Sequence, residues 1–195
     1  MTKDQIDEEI LDAAAALFAR HGVEQTSIQR IADAVGYSKT GLLHRFPGKD
    51  ALQDATVAHT LGALRTVAAD VGDVPLGPER DRAVVEALVD LTARRPGLVA
   101  FVLTALSGQD GAIGTEQLDA LGEVLFGAFG AQLKPDPATT PAFPERGARI
   151  TTAVGGLAVA SLACADIPFD LVRPHLVAAA LGALGHPVPH RTPED

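Results

Sequence analysis

Apolar side chains recur three or four residues apart through most of the chain, and Gly- or Pro-rich stretches separate these runs. That spacing places apolar residues on one face of an α-helix. It predicts a first helix over residues 4–21 and a long helix from Lys49 to about Val71. Further helices are predicted over about 79–95, 98–106, 115–133, 145–165 and 168–184, with loops over 72–78, 107–114 and 134–144. With two short helices between residues 26 and 46, the pattern predicts an all-α chain of about nine helices.

Residues 26–46 are the most informative part of this pattern. Thr26 and Ser27 are both residue types that cap helix starts, and Gln29 lies three positions after Thr26, as in a capping box. Apolar residues then recur at helical spacing, at Ile28, Ile31, Ala32 and Val35. Gly36 stands where the helix must end with a residue at positive φ, which glycine adopts without a Cβ penalty.

A second short helix is predicted to start after Ser38. Its buried face would contain Leu42 and Phe46, one turn apart, and Ala32 is small where the two helices should cross. The residues on the outer face are Lys39, Thr40, Gly41 and His44. This arrangement is a helix-turn-helix, whose second helix enters the major groove in DNA-binding proteins. An ordinary helical hairpin is the alternative interpretation of the same pattern.

The stretch from Gly36 to Leu52, GYSKTGLLHRFPGKDAL, resembles the recognition-helix segment of the TetR family of bacterial transcriptional repressors. The preceding segment is also similar, with a first helix ending LFARHG, and the resemblance covers about residues 6–55. It implies an N-terminal three-helix, helix-turn-helix DNA-binding domain over residues 1–50, here called the head. It also implies a C-terminal helical effector-binding and dimerisation domain over residues 51–185, here called the body. Residues 186–195 are predicted to be a disordered tail.

The predicted DNA contacts lie on this helix-turn-helix. Ser27 and Lys49, each at the start of a helix, should hold phosphates. The residues expected at base edges are Gln29, Lys39, Thr40 and His44, and Tyr37 is expected to complete the interface. The family usually has Tyr where this chain has Leu43, and Gly-Thr where this chain has Thr40-Gly41. Because Leu43 cannot donate a hydrogen bond, we expect one contact with the DNA backbone to be lost or to be replaced by an apolar contact with a thymine methyl group.

The net charge of −9 argues against a nucleic-acid partner, but the distribution of charge weakens that objection. The head holds six Lys or Arg against eight Asp or Glu, and five of those acids precede residue 13. Between Gly36 and Lys49 there are three basic residues and no acidic one. Affinity for phosphates depends on the local patch more than on the total charge. We therefore expect an acidic body behind a basic tip that contacts DNA.

Composition points to a cytoplasmic, soluble protein that does not interact with membranes. The single cysteine, Cys164, excludes an internal disulfide and is compatible with a reducing cytosol. The first residues run into acids instead of forming a signal peptide. The least polar stretch, residues 150–165, is too short to span a bilayer.

No pattern typical of a catalytic or metal site is present. The sequence has no His-Glu-x-x-His or Glu-x-x-His motif and no phosphate-binding glycine loop, and its six histidines are scattered. We therefore predict no enzymatic activity, no metal and no cofactor. A third functional hypothesis, an α-helical enzyme, has no support in the sequence.

The resemblance implies a small-molecule pocket in the body. The candidate lining residues are isolated polar groups and aromatic residues on apolar helices, namely His59, Thr66, Phe101, Thr104, Phe126, Phe129 and Thr152. Few charged residues fall on these segments, so a mostly apolar effector is favoured. Core packing or a solvated face is the alternative role for each of them. The long helix is expected to be the only strong mechanical link that carries an effector signal to the head.

The last two predicted helices are rich in small and apolar residues, as expected for a two-fold helical interface. The candidate interface residues are Gly156, Leu157, Ala160, Leu176, Ala180 and Leu184. Packing within the chain's own body is the alternative. The leading functional hypothesis is a homodimeric repressor that binds palindromic operator DNA and is released by a small molecule. The alternative is a helical small-molecule-binding protein whose DNA head no longer serves.

Overall fold

The structure, a computed structural model, describes residues 2–106, 113–134 and 143–187. These residues form nine α-helices and no strand. The helices are α1 (Lys3–His21), α2 (Ile28–Ala34), α3 (Lys39–Arg45), α4 (Lys49–Asp70), α5 (Pro78–Arg94), α6 (Pro96–Leu106), α7 (Thr115–Ala128), α8 (Phe143–Ala163) and α9 (Phe169–Leu184). The predicted all-α fold is confirmed. The predicted loops over 107–114 and 134–144 lie mostly outside the described residues.

The helix starts in the head follow capping chemistry, with one difference from the prediction. The hydroxyl oxygen of Ser27 accepts from the backbone N–H of Arg30, and Ser38 caps α3. Thr26 is not a cap: it is buried, and its hydroxyl donates to the carbonyl oxygen of Gly22 at 2.7 Å. A capping box does form in this chain, but at the start of α1, between Thr2 and Gln5. Thr2 with Gln5 and Thr26 with Gln29 thus have the same capping-box spacing. Only the first pair forms the box, because Thr26 is buried and bonds to Gly22 instead.

Two glycines end helices as backbone geometry requires. Gly36 has a φ of 70°, as predicted, and it turns the chain between α2 and α3. Gly130 has a φ of 68°, just after α7 ends at Ala128. The prediction that this helix continues to residue 133 is therefore wrong, because the apolar pattern extends past a residue that turns the chain.

The buried apolar side chains form two clusters. The body cluster joins α4, α5, α7, α8 and α9 around Val84, Val89 and Ile150. The joint cluster contains the core of the head, including Phe18, Ile31 and Leu42. It continues without a break into the body through Leu98, Phe101 and Ala105 of α6 and Leu121 of α7. The predicted domain boundary at residue 50 therefore does not separate two hydrophobic cores, because the joint cluster contains residues of both head and body.

Helix α6 lies along α1, and this contact is a second link between head and body. The ring centroids of Phe18 and Phe101 are 6.1 Å apart, and both side chains are fully buried. Toward the other end of α6, the side chain of Asp12 accepts from the backbone N–H of Leu98 at 3.1 Å. The expectation that the long helix α4 is the only strong link is therefore wrong. The missed signal was the nearly wholly apolar sequence of α6, which needs a partner on more than one face.

Candidate nucleic-acid interface and effector region

The recognition helix α3 is held by one buried anchor and one cap. Leu42 is completely buried in the joint cluster, with Phe46 half-buried beside it. The hydroxyl oxygen of Ser38 accepts from the backbone N–H of Gly41 at 3.0 Å. The side chains left exposed on this helix are Lys39, Thr40, Leu43 and His44. The structure therefore places four of the eight predicted DNA contacts together on one short exposed surface, here called the tip.

The tip presents donors, an acceptor and an apolar group side by side. Lys39 offers an ammonium group, Thr40 a hydroxyl and His44 an imidazole, which are groups that can hydrogen-bond base edges in the major groove. Leu43 is 36% exposed, which is high for a leucine and places an apolar side chain among these polar groups. This combination suits a base pair that carries a methyl group next to hydrogen-bonding edges.

The predicted contacts on α2 are exposed but already engaged within the helix. Ser27 uses its hydroxyl oxygen as the N-cap, which leaves its O–H free to donate. Gln29 donates from its amide nitrogen to Oδ1 of Asp33 at 2.6 Å. For Gln29 to reach a base, this hydrogen bond must be exchanged.

The basic residues near the end of α3 differ in availability. Arg45 forms an ion pair with Asp7 of α1 and lies over the ring of Tyr37, 6.0 Å from the centroid. Lys49 donates to the carbonyl oxygen of Glu24 at 3.1 Å, and its Nζ lies 3.9 Å from the Glu24 carboxylate. Arg45 and Tyr37 therefore support the head from within. Lys49 remains close to the surface, where a phosphate would compete with Glu24.

A further basic group was missed by sequence reasoning. His21, at the end of α1, is near Arg20 and Arg30, and the pKa of His21 lies below its ordinary value because of desolvation and because these two guanidinium groups repel its protonated form. Both arginines are exposed. The sequence separates Arg30 from the other two by nine or ten positions, so only the fold brings the three together.

The seven predicted effector-binding residues do not come together in one place. Phe101 is in the joint cluster, whereas Phe126 and Phe129 are in the body cluster. Thr66 and Thr152 are exposed, and the Thr66 hydroxyl donates to the carbonyl oxygen of Gly62. Thr104 is half-buried, and its hydroxyl donates to the carbonyl oxygen of Ala100. The sequence positions of aromatic and Thr residues do not show which of two cores each residue joins. The seven residues therefore do not form one pocket, and an effector contact stays a prediction for each residue separately.

His59 is the member of that set with an unexplained environment. Its Nε2 atom is buried and has no hydrogen-bond partner within the described part of the chain. Burial lowers the pKa of His59, and Arg95 adds to this effect, while the carboxylates of Glu8 and Asp12 oppose it. A buried ring nitrogen without a partner is unfavourable by about 1–3 kcal/mol. A ligand or a solvent molecule that bonds Nε2 would remove that cost.

Two surface grooves run between α5 and α9, away from all seven predicted effector residues. They share Arg82, Glu86, Leu181 and Pro187 as lining residues. Arg173, which lines one of the two grooves, donates to both carboxylate oxygens of Asp90. The residues that would hold an effector in them are not those selected from the sequence.

The body also contains a polar cluster that sequence reasoning did not identify. Asp81 is buried, and both its oxygens accept from Arg146 of α8, at 2.6 and 2.9 Å. His186, just after α9, places Nε2 2.7 Å from the same carboxylate. Burial alone would raise the pKa of Asp81, but the hydrogen bonds from Arg146 and His186 hold it below its ordinary value. His186, assigned above to the tail, is thus in contact with the body, and residues 188–195 lie outside the described residues.

The predicted dimer residues divide into buried and accessible ones. Leu157, Leu176, Ala180 and Leu184 are buried in the body cluster of their own chain. Gly156 is exposed and Ala160 half-buried. On the same two helices and the turn between them, Val159, Ile167 and Leu171 are exposed by 58%, 48% and 65%. Gly156 and these three apolar residues, here called the α8–α9 face, are therefore accessible to a second chain.

The described residues contain neither a cluster of metal-binding side chains nor a membrane-spanning helix. No three His, Cys, Asp or Glu residues there lie close enough together to hold a metal ion. None of the nine described helices combines the length and apolar character needed to cross a membrane.

Known proteins resemble this chain most in the head. Residues 10–56 match the family model described as bacterial regulatory proteins of the tetR family. A segment of 85 residues, 42% of this chain, is 36% identical to the transcriptional repressor KstR2 of Rhodococcus jostii (strain RHA1). That segment corresponds to 38% of KstR2, so the chain spans about two fifths of the length of this curated relative.

The likeness in fold extends over nearly the whole chain. A TetR family regulator of Marinobacter aquaeolei VT8 superposes with a TM-score of 0.64 at 19% identity, covering 93% of this chain and 96% of that one. AmtR of Mycobacterium smegmatis superposes with a TM-score of 0.58 at 26% identity, covering 96% of this chain and 88% of that one. The head thus matches the tetR family model in sequence, and the described residues share their fold with a solved TetR family regulator.

Proposed function

We propose that this chain is a transcriptional repressor that binds palindromic operator DNA as a homodimer and is released by a small-molecule effector. The observation that carries the proposal is the tip. A capped, buried-anchored helix exposes Lys39, Thr40, Leu43 and His44 in a stretch that contains no acidic residue between Gly36 and Lys49. A helix with this composition fits the major groove, where its first residues reach base edges.

Phosphate contacts position the tip on the duplex. Ser27, Lys49 and the exposed Arg20 and Arg30 supply hydrogen-bond donors for these contacts. Lys49 has to exchange Glu24 for a phosphate when DNA binds. This exchange replaces a weak, partly exposed ion pair, so it costs little.

The α8–α9 face supports a homodimer. Its three large apolar side chains are far more exposed than the buried leucines of the same helices. A single seven-residue recognition helix reads few base pairs, and two heads related by a two-fold axis would read a palindrome. In such a dimer the two α3 helices lie one turn of DNA apart, about 34–36 Å.

Release by an effector requires that the effector bind the DNA-free arrangement more tightly than the DNA-bound one. A roughly hundredfold loss of DNA affinity corresponds to about 2.7 kcal/mol of coupling. His59 lies on α4 beside residues of α1, and its unpartnered Nε2 makes it the candidate through which an effector would act on both domains.

The test is a titration of the full chain against DNA from its own upstream region and against random DNA, at two salt concentrations. We expect specific binding with a steep salt dependence. Lys39→Ala should weaken the specific complex by about 1–3 kcal/mol and change random-DNA binding much less. Lys134→Ala, which removes an exposed lysine from the body, is the matched control and should change neither.

Two outcomes would contradict the proposal. Absence of specific binding at low salt would favour the alternative, a small-molecule-binding protein whose head does not serve. Equal weakening of specific and random DNA by Lys39→Ala would show that Lys39 holds a phosphate instead of reading a base.

A further inference from the structure

Helix α6 has no N-terminal cap of its own. It starts at Pro96, which has no backbone N–H, and the preceding residue is Arg95, which is not an N-cap type. The first free donors are therefore the backbone N–H groups of Gly97 and Leu98. The N–H of Leu98 donates to the side chain of Asp12 at 3.1 Å, and the nearby N–H of Gly97 also lowers the pKa of that carboxyl group. A residue of the head thus caps a helix of the body, 86 positions away in sequence.

The contact between α1 and α6 is as close as the backbones allow. A Cβ atom on Gly97 would lie 2.1 Å from the carbonyl oxygen of Asp12 and 2.9 Å from its carbonyl carbon. Real Cβ atoms do not approach backbone atoms so closely, so this register of α6 on α1 depends on the absence of a side chain at residue 97. The cap and the glycine therefore specify the same arrangement independently.

Charged groups surround the cap on three elements. Glu8, one turn before Asp12 on α1, forms an ion pair with Arg95. Asp12 is half-buried, and its burial raises its pKa, which the amides of α6, Arg95 and His59 partly counteract. His59 faces the same groups from α4. Asp12 is thus a carboxylate held at a joint between two domains, at some cost in solvation.

The first half of α1 is also connected to the recognition helix. Asp7, adjacent to Glu8, forms an ion pair with Arg45 in the last turn of α3. At the other end of α1, the Thr26 hydroxyl donates to the carbonyl oxygen of Leu17. Neighbouring acids of α1 therefore bind in two directions, with Asp7 to α3 and Glu8 and Asp12 to the start of α6.

We propose that Asp12 is a positioning residue for DNA binding: by capping α6 it fixes the orientation of α1, and with it α3, relative to the body. Movement of the start of α6 then changes the position of the recognition helix directly, alongside any path through α4. This inference rests on the proposed function, because it concerns how DNA binding is regulated.

The experiment compares the full-length chain with Asp12→Ala, Asp12→Asn and Glu9→Ala. Asn keeps a side-chain oxygen that can accept from the Leu98 amide, so it should restore the cap without the charge. Glu9→Ala removes the same charge from an exposed position of α1 and controls for reduced repulsion of phosphates. Hydrogen exchange is measured over residues 97–106 and over α3, with and without the DNA fragment that the wild-type chain binds most tightly.

In the wild-type chain we expect DNA to slow exchange at the start of α6 as well as in α3. Asp12→Ala should exchange about tenfold faster at residues 97–99 and bind the specific DNA about tenfold more weakly. DNA should still protect its α3 but no longer its α6. Asp12→Asn should stay within about twofold of the wild type in both measurements, which shows that loss of the cap and not general unfolding causes the change.

Specific outcomes would overturn the inference. If DNA protects α6 equally in the wild type and in Asp12→Ala, the coupling runs through α4 alone and Asp12 has only a local role. If Asp12→Ala binds DNA as tightly as Glu9→Ala, Asp12 does not position the head. If the wild-type chain binds no specific DNA, the proposed function fails instead; the DNA-free exchange at residues 97–99 still shows whether Asp12 caps α6.

Discussion

At the scale of single residues, the buried polar groups of this chain join elements that are distant in sequence. Arg80 is buried on α5 and donates to the carbonyl oxygens of Gly72 and Val74, which lie in the loop between α4 and α5. Asp81 beside it binds Arg146 of α8 and His186 after α9. Two adjacent residues thus fix four segments of the body, because a buried charge is tolerated only when it is paired and hydrogen-bonded.

We expect Asp81→Asn to destabilise the body on the order of 3 kcal/mol at pH 7, because it leaves Arg146 without its anionic partner. The pKa of Asp81 is lower in the folded chain than its ordinary value of 3.8. The ionised carboxylate therefore stabilises the fold at pH values above 3.8, and this stabilisation is lost as the pH falls through the pKa of the folded chain. Urea unfolding measured from pH 7 to pH 2.5 should show that the difference in free energy of unfolding between wild type and Asp81→Asn becomes smaller toward pH 2.5.

Glu145→Gln is the matched control for Asp81→Asn. Glu145 also binds an arginine, Arg149, but its side chain is 73% exposed, and removing such a pair should change stability by less than about 0.5 kcal/mol. A gap between wild type and Asp81→Asn that stays constant down to pH 2.5 would show that the lost charge is not the cause.

Substitution of Gly97 should show how closely α6 approaches α1. In an exposed helix, Gly→Ala stabilises by about 0.5–1 kcal/mol, and we expect this gain for Gly62→Ala on α4, where nothing lies within 4 Å of the new Cβ. At Gly97 the new Cβ meets the backbone of Asp12, and the expected result is a loss of about 1–3 kcal/mol. Thermal unfolding of both variants measures the difference in sign; stabilisation by Gly97→Ala would contradict the close approach.

At the scale of elements, apolar spacing and cap residues were sufficient to predict where most helices lie. The short helices α2 and α3 could be predicted because Ser27, Gly36 and Ser38 each favour one backbone geometry. The helices that pack against α6 could not be predicted, because α6 is apolar on nearly every side and its sequence does not indicate which face contacts which helix. Its cap could not either, since Asp12 lies in a different helix and local capping rules compare only neighbouring residues.

The cap of α3 should matter more to DNA binding than to global stability. Ser38→Ala removes the acceptor for the N–H of Gly41, and we expect a cost of about 1 kcal/mol together with fraying of the first turn, which carries Lys39 and Thr40. DNA titration should then show a weaker specific complex while the far-ultraviolet circular dichroism spectrum is almost unchanged.

Ser161→Ala provides the comparison for Ser38→Ala. The Ser161 hydroxyl donates to the carbonyl oxygen of Leu157 within α8, so alanine there should be neutral or slightly stabilising. If the two substitutions had the same effect on stability and on DNA titration, the cap of Ser38 would not organise the tip.

At the scale of the whole molecule, the excess of acid in the head is explained by where the acids bind. Asp7, Glu8 and Asp12 are engaged with Arg45, Arg95 and α6, respectively. The tip keeps its basic and neutral side chains exposed. Charge counts along the sequence indicated this separation, but the ion pairs that produce it join residues 38 and 87 positions apart, beyond the reach of any local pattern.

The predicted dimer residues show a similar limit. Small and apolar side chains on α8 and α9 predicted a packing surface, but composition could not distinguish packing within the chain from packing between chains. Ala180 is 4% exposed, so Ala180→Arg would disrupt the body of a single chain and would not test an interface. The α8–α9 face offers better positions, because its side chains have no such role in the body cluster.

Leu171→Arg should therefore convert the proposed homodimer into monomers. Leu171 is 65% exposed at the start of α9, and in a two-fold interface the substitution would bring two unpaired guanidinium groups close together, a cost of about 3 kcal/mol or more than a hundredfold in dimer affinity. Leu76→Arg is the matched control, since Leu76 is 67% exposed in the loop between α4 and α5, outside that face. Sedimentation at micromolar concentration should give monomers for the first variant only, and those monomers should bind the palindrome weakly although their heads remain folded. Unchanged dimers of Leu171→Arg, or monomers of Leu76→Arg, would place the interface on a different surface.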